Sequence, residues 1–397
     1  MLQLEAVQGN DGDCLLLHFD DVGGKPGLIL IDGGSKGVYK NFLQKRLDEL
    51  RGSKPTLNLR LVVVSHIDAD HITGILDMFR QMSEAVNSSQ QPRWKVASIW
   101  HNAFEKLAGT HAPAAQSATV AAAANGSFGE QEVAELQDKG LDDPKAQAVI
   151  ASVKQGKDLQ SFAAQVRNKV GQPKINGESG GELIMAPEMG RQDIPITDSL
   201  TFTILGPHET ELSKLEEQWN KSKAKHPADE RSAAADYLNR TVPNLSSIVF
   251  MAEQKSAAGK STRMLLTGDA GGDLILKGLE TAGLLDANKH IRLDLLKVQH
   301  HGSNHSVTEY FFRQVIADKY LISGNGAHGI PHMKTLRWLS NARKDQEYDV
   351  YMTNRQLSDK GVDLTPGLTN FLNEERAVQP KHRYHFREDS ALSILPQ

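Results

Sequence analysis

Leu61-Val62-Val63-Val64-Ser65-His66-Ile67-Asp68-Ala69-Asp70-His71 sets four potential metal ligands directly behind a Val-rich run. Leu61 to Val64 has the composition of a buried strand, and Ile72-Thr73-Gly74-Ile75-Leu76 reads as the opening of a helix. His66, Asp68, Asp70 and His71 therefore crowd one strand-to-helix turn. Two carboxylates and two imidazoles within six residues are costly to bury without a compensating charge, and a bound cation is the simplest explanation. A polar surface turn with an Asp helix cap would not call for two histidines beside so apolar a strand. Histidine is the commonest metal ligand.

Two later segments repeat that logic. Arg263-Met264-Leu265-Leu266-Thr267-Gly268-Asp269-Ala270 is an apolar strand ending in one carboxylate, followed by Gly-rich punctuation and a helix. Leu293 to Val298 is a further strand and runs into Gln299-His300-His301-Gly302-Ser303-Asn304-His305-Ser306. Motifs at the carboxyl ends of strands in one sheet can converge on a single edge, where α/β folds place their sites.

His-x-Asp-x-Asp-His, followed by Leu-Thr-Gly-Asp and His-His-Gly-Ser, resembles the signature of the metallo-β-lactamase-fold hydrolases, and most closely their ComEC-like branch. That branch includes the nuclease-like domain of ComEC and the phosphorylcholine esterases. Most of the superfamily carries His where this chain has Asp68, and the exchange makes the site more oxygen-rich. The expectation shifts from zinc alone to zinc or manganese.

The resemblance implies an α/β fold, a four-layer αββα sandwich with a helical insertion, and two divalent ions, Zn²⁺ or Mn²⁺. His66 and Asp68 would hold one ion, with His208 as a further candidate. Asp70, His71 and one of His300 and His301 would hold the other, and Asp269 would bridge them. Of the two adjacent histidines, His300 stands nearer the strand; its neighbour would hold a phosphate oxygen or pack beneath it. His208 sits where the wider superfamily has a Gly-His-Thr-like loop, although ComEC-like relatives often lack a histidine there. Asn244 to Phe250 matches an Asn-x-x-Ser-x-Val-type strand of the same branch.

Asp32, in Asp32-Gly33-Gly34 behind the strand Gly27 to Ile31, stands where the resembled family keeps an Asp beneath the metals, and a plain tight turn would use the same residues. His101 ends the strand Val96 to Trp100 and could reach the site from there. His305, with Ser303 and Asn304, supplies further donors. His328 and His332 lie in a Gly- and Pro-containing stretch that resembles an element beside the substrate in relatives, which makes them candidates for substrate contact or leaving-group protonation.

Two cations roughly 3.5–4 Å apart share a water, lower its pKa and direct it at an electrophile. With Asp70 and Asp269 in catalytic positions, the resemblance implies a metal-dependent hydrolase of phosphodiesters, nucleic acid among them. No Ser-His-Asp signature calls for a covalent intermediate. An ester, lactone or amide hydrolase with the same centre is the first alternative, and a non-catalytic regulatory component that kept the fold is the second.

The remaining chain is that of a globular α/β enzyme, with 39% hydrophobic residues and 33 glycines in 397. The expected division is a first half at 1–103, a helical insertion at 104–175 lying over the site, and a second half at 176–397. Within that second half, Gly180 to Met185 and Leu200 to Leu205 read as strands and Glu211 to His226 as a charged, solvated helix. The basic, aromatic Gln379 to Arg387 is either an edge strand or a local contact for an anion. A net charge of −4 argues against a surface coated in positive potential, without excluding a local basic groove. No apolar run reaches the ~20 residues of a membrane span, so no membrane partner is expected. The single cysteine, Cys14, reads as core filler, and with no secretory signal the expected compartment is the cytoplasm.

Overall fold

A computed structural model describes residues 1–21, 24–102, 144–213, 244, 246–256, 259–388 and 391–394, with the backbone alone at 144–153. The first half runs β1 (Leu2–Val7), β2 (Leu15–Asp21), β3 (Lys25–Ile31), a π-helical turn (Tyr39–Leu43), α1 (Gln44–Arg51), β4 (Leu57–Leu59), β5 (Leu61–Val64), α2 (Ala69–Asn87), β6 (Trp94–Val96), β7 (Ser98–His101), α3 (Pro144–Val170) and β8 (Lys174–Ile175). The second half begins with β9 (Gln192–Pro195), β10 (Leu200–Gly206), β11 (Val249–Lys255), β12 (Ser261–Leu266), α4 (Gly272–Thr281) and β13 (Ile291–Lys297). It continues through α5 (Glu309–Gln314), β14 (Val315–Ile322), α6 (Met333–Ala342), β15 (Tyr348–Met352), the small β16 (Ser358–Asp359) and β17 (Val362–Asp363), α7 (Thr365–Val378), β18 (His382–Phe386) and β19 (Ala391–Ile394).

These strands form two large sheets. One has seven strands in the order β19-β1-β2-β3-β5-β7-β8, and the other has eight, β18-β15-β14-β13-β12-β11-β10-β9. In the first, β3, β5, β7 and β8 pair in parallel. In the second, β12, β13, β14, β15 and β18 do.

Alternation along the strands orders the layers, because successive side chains leave opposite faces. In β5, Leu61 and Val63 join a cluster shared by both sheets, whereas Val62 and Val64 pack under helices with Ile72, Phe79 and Leu47. In β12 and β11, Met264, Leu266, Phe250 and Ala252 face the shared cluster, while Leu265 and Met251 join Ile275, Leu279 and Leu336 of α4 and α6. Trp100 of the first sheet meets Phe202 and Phe250 of the second edge-on, at centroid distances of 5.8 and 6.1 Å. Fully burying such side chains stabilises the fold by about 1.5–3 kcal/mol each.

Several expectations shift. Gly180 to Met185 is not a strand: Ile184 instead gives its N–H to Asn102 Oδ1 and takes a bond from Asn102 Nδ2, at 2.8 and 2.7 Å. One side-chain amide thus replaces a strand partner. Leu183 and Ile184 stay buried without joining a sheet.

Of the insertion expected at 104–175, residues 104–143 lie outside the described ones. The rest holds α3, which packs along α2 and buries Leu159, Ala163 and Val166 against the same helices and strands as Phe79, and then β8, whose Lys174 and Ile175 extend the first sheet beside β7 where a purely helical insertion was expected. Most of the charged helix expected at 211–226 likewise falls outside the described residues. Gln379 to Arg387 contains the edge strand β18, and Arg383 there is paired with Asp349 and Glu347. Among the described residues no helix is long and apolar enough to cross a membrane.

Candidate metal centre

The parallel strands all point their carboxyl ends to one side. Asp32 follows β3, His66 follows β5, Asp269 follows β12, His300 and His301 follow β13, and Ser323 follows β14. Asp68 takes the N-cap position of α2, yet its carboxylate makes no capping bond. Its Oδ2 lies 3.5 Å from His66 Nε2 instead. Asp70 sits in the first turn of α2, where the helix dipole favours a negative charge. Close backbone approach fixes this turn: a Cβ on Gly12, in the β1–β2 loop, would lie 1.7 Å from the Asp70 carbonyl oxygen.

Asp269 faces two sets of imidazoles. Its Oδ1 is 3.4 Å from His71 Nε2 and 3.6 Å from His301 Nε2. Its Oδ2 is 3.9 Å from His66 Nε2 and 3.6 Å from His300 Nε2. Asp70 Oδ2 completes the first set, 3.5 Å from His71 Nε2 and 3.3 Å from His301 Nε2. Ligands about 2.0–2.2 Å from a shared ion at near-tetrahedral angles stand about 3.3–3.6 Å apart, so these separations suit a metal. Groups able to hold an ion include His66, His71 and Asp269, and also Asp70, His71 and His301.

Each imidazole is oriented from behind. His71 Nδ1 donates to Asp32 Oδ2 at 2.8 Å, which turns the Nε2 lone pair toward the centre. The same carboxylate accepts the Ser65 N–H and hydroxyl, both at 2.7 Å. Ser65 Oγ lies 3.0 Å from His66 Nδ1, leaving His66 Nε2 buried and without a hydrogen-bond partner. Asp269 Oδ1 is equally orphaned. His301 Nδ1 is 2.8 Å from Ser323 Oγ, which in turn bonds to Asp13 Oδ1. Asp13 pairs with the buried Lys297 at 2.8 Å. Orphaned buried atoms of this kind, set among these imidazoles and carboxylates, are what a cation would satisfy.

The charges interlock. Burial opposes ionisation of Asp269, but His71, His301 and His300 around it hold its carboxyl well below the usual range. Burial alone would lower His301, and the carboxylates of Asp269 and Asp13 raise it to about 9. His71 is raised in the same way against its burial, by Asp269, Asp70 and Asp32.

The remaining expected residues divide. His300 lies on the more open side, its side chain 26% exposed and its Nδ1 2.7 Å from Ser306 Oγ. It is His301, buried, that stands with Asp70 and His71. His332 and His305 are neighbours, with ring centroids 5.9 Å apart, and the His332 N–H bonds to Gly302 beside the histidine pair. His328 is exposed and held through its backbone N–H by Asp359, apart from the converging groups. His208 is buried, with Nδ1 3.1 Å from the Pro187 carbonyl and Nε2 unpartnered, but it belongs to none of the ligand groups. His101 lies under Gly156 of α3, where an added Cβ would come within 3.4 Å of its Nε2, and burial lowers its pKa to about 4.

The sequence reading passed over Asp13 and Lys297. The signal for the pair is a lysine closing an otherwise apolar strand, which has to find a counter-charge when buried. Also invisible was the backbone at Asp32, His300 and His301, with φ of 56°, 46° and 51°. Such left-handed non-glycine residues cost about 1–3 kcal/mol each and cluster at functional sites. Compared with known proteins, the sequence matches no protein-family model and no curated protein.

Proposed function

We propose that this chain is a dinuclear metal-dependent phosphodiesterase on the four-layer αββα sandwich of the metallo-β-lactamase fold. The observation that carries this reading is Asp269, whose two carboxylate oxygens are directed at different imidazole groups as a bridging ligand requires. His66, Asp68 and Asp269 Oδ2 would hold one ion. Asp70, His71, His301 and Asp269 Oδ1 would hold the other. The mixed nitrogen and oxygen donors suit Zn²⁺ or Mn²⁺. Two such ions, when bound, lower the pKa of a shared water and neutralise charge building on phosphoryl oxygens.

The protein's own residues supply orientation and access. Asp32 and Ser65 fix the first-sheet imidazoles, and Ser323 fixes His301. His300 Nε2, on the open side, is the side chain best placed to meet a substrate oxygen. His305 and His332, next to that loop, are the candidates to protonate a leaving group. Asp68 and the His-His-Gly-Ser loop favour phosphodiesters over carboxylic esters, lactones or amides. The lone Cys14 thiol, buried and with its pKa pushed well up by that burial, fits a reducing cytoplasm.

The test is to prepare the chain metal-free, restore Mn²⁺, Zn²⁺ or Mg²⁺ separately, and assay bis-p-nitrophenyl phosphate beside single- and double-stranded DNA and RNA. Metal-dependent cleavage that is lost in Asp269→Ala supports the reading, and the polymers separate a nuclease from a small-diester enzyme. Tight binding of two ions with every diester left intact removes the phosphodiesterase assignment.

A further inference from the structure

The amino ends of β13, β14 and β15 lie at the opposite edge of the second sheet from the candidate metal centre. Arg292 to Lys297 alone spans about 17 Å of strand before the histidine loop is reached. At this far edge a cleft of about 370 Å³ is lined by Arg292, Asp318, Arg343, Gln346, Glu347 and Tyr348, among others. The volume falls in the range of small-molecule sites, about 300–1,000 Å³.

Arg343 is only 4% exposed, yet among the described residues no carboxylate forms an ion pair with it. A guanidinium has five N–H donors. Here Nη2 donates to the Arg313 carbonyl at 3.2 Å and Nη1 to Gln346 Oε1 at 3.4 Å, while Nε has no partner. Arg292, exposed at the same cleft, also has no ion pair among the described residues. Of the two acidic side chains present, Glu347 is already paired with Arg383. That leaves two guanidiniums against Asp318. A buried guanidinium without a counter-charge is expensive to keep, and the fold keeps one in the wall of a cleft.

We propose that this cleft binds a small molecule through an oxyanion group, a phosphate or a carboxylate, held by Arg343 and Arg292. The planar fork of arginine matches both anions, and Gln346 and Asp318 stand beside it to take a hydroxyl or amine of the same ligand. The site is separate from the metal centre and does not depend on the function proposed for it.

Inorganic phosphate and, in a second arm, acetate are titrated into the full chain by calorimetry, and into Arg292→Glu and Arg343→Gln. One saturable site is expected, weakened at least about tenfold in both variants, since each removes a charge-assisted contact. The arm that saturates assigns the group as phosphoryl or carboxylate. Arg292 is exposed, so R292E keeps the test alive if R343Q fails to fold. No saturable binding of either anion, or equal affinity in R292E and the parent chain, overturns the proposal.

Discussion

The Nε2 atoms of His71 and His301 lie 3.2 Å apart, although 230 positions separate the two residues in the chain. Both rings are engaged from behind through Nδ1, by Asp32 and Ser323, so the two facing nitrogens compete for whatever positive charge stands between them. If the chain holds the two ions proposed, His301→Ala should lower bound Zn²⁺ or Mn²⁺ from two to one per chain by elemental analysis. On the proposed reading, metal-dependent diester cleavage should fall beyond the roughly 10–100-fold that loss of an outer partner costs. Two ions retained in His301→Ala would remove His301 from the ligand set.

Asp13 and Lys297 are 2.8 Å apart and both almost fully buried. Removing one partner strands the other charge, at about 3–5 kcal/mol, whereas removing both leaves none to strand. Lys297→Met is expected to lower the urea midpoint more than the double variant Asp13→Asn, Lys297→Met. A double variant no more stable than Lys297→Met would mean that the pair is not coupled.

His101 gives the fold an acid sensitivity. Its pKa falls from 6.5 to about 4 because burial disfavours the charged ring. Between these values the unfolded chain takes up a proton that the folded chain refuses, so stability is full above pH 6.5 and declines as pH drops toward 4. The difference amounts to about 3 kcal/mol. Unfolding free energies from urea titrations of the parent chain and His101→Leu, measured from pH 7 to pH 4, should diverge by that amount; parallel curves would assign the acid loss to other groups.

Much of this was legible in the sequence because strand ends announce themselves. Val64, Leu266 and Lys297 each close an apolar run, and the candidate ligands that follow are polar residues whose local pattern offers no other reason for their place. His101 closes an equally apolar strand and was for that reason a candidate, but what lies above it is Gly156 of α3, and no local pattern specifies which helix covers a strand end. The choice between His300 and His301 was hidden for a different reason. Two successive left-handed residues, at φ 46° and 51°, turn the chain so that the second ring, not the first, reaches Asp70. Sequence spacing carries the order of side chains, and the backbone path decides where they point.

Asp32 provides the sharpest test of orientation against mere turn geometry. Its φ of 56° suits Asn and Gly at least as well as Asp, so a residue needed only for the turn would tolerate either substitution. Its carboxylate, however, accepts three hydrogen bonds, from the Ser65 N–H, the Ser65 hydroxyl and His71 Nδ1. Asp32→Asn sets an N–H against one or more of those donors, and Asp32→Gly removes the acceptor while relieving the backbone. Both should weaken metal binding by about 10–100-fold, with the circular dichroism spectrum unchanged. Parent-like metal affinity in Asp32→Gly would reduce Asp32 to a turn residue and leave Ser65 alone to orient the histidines.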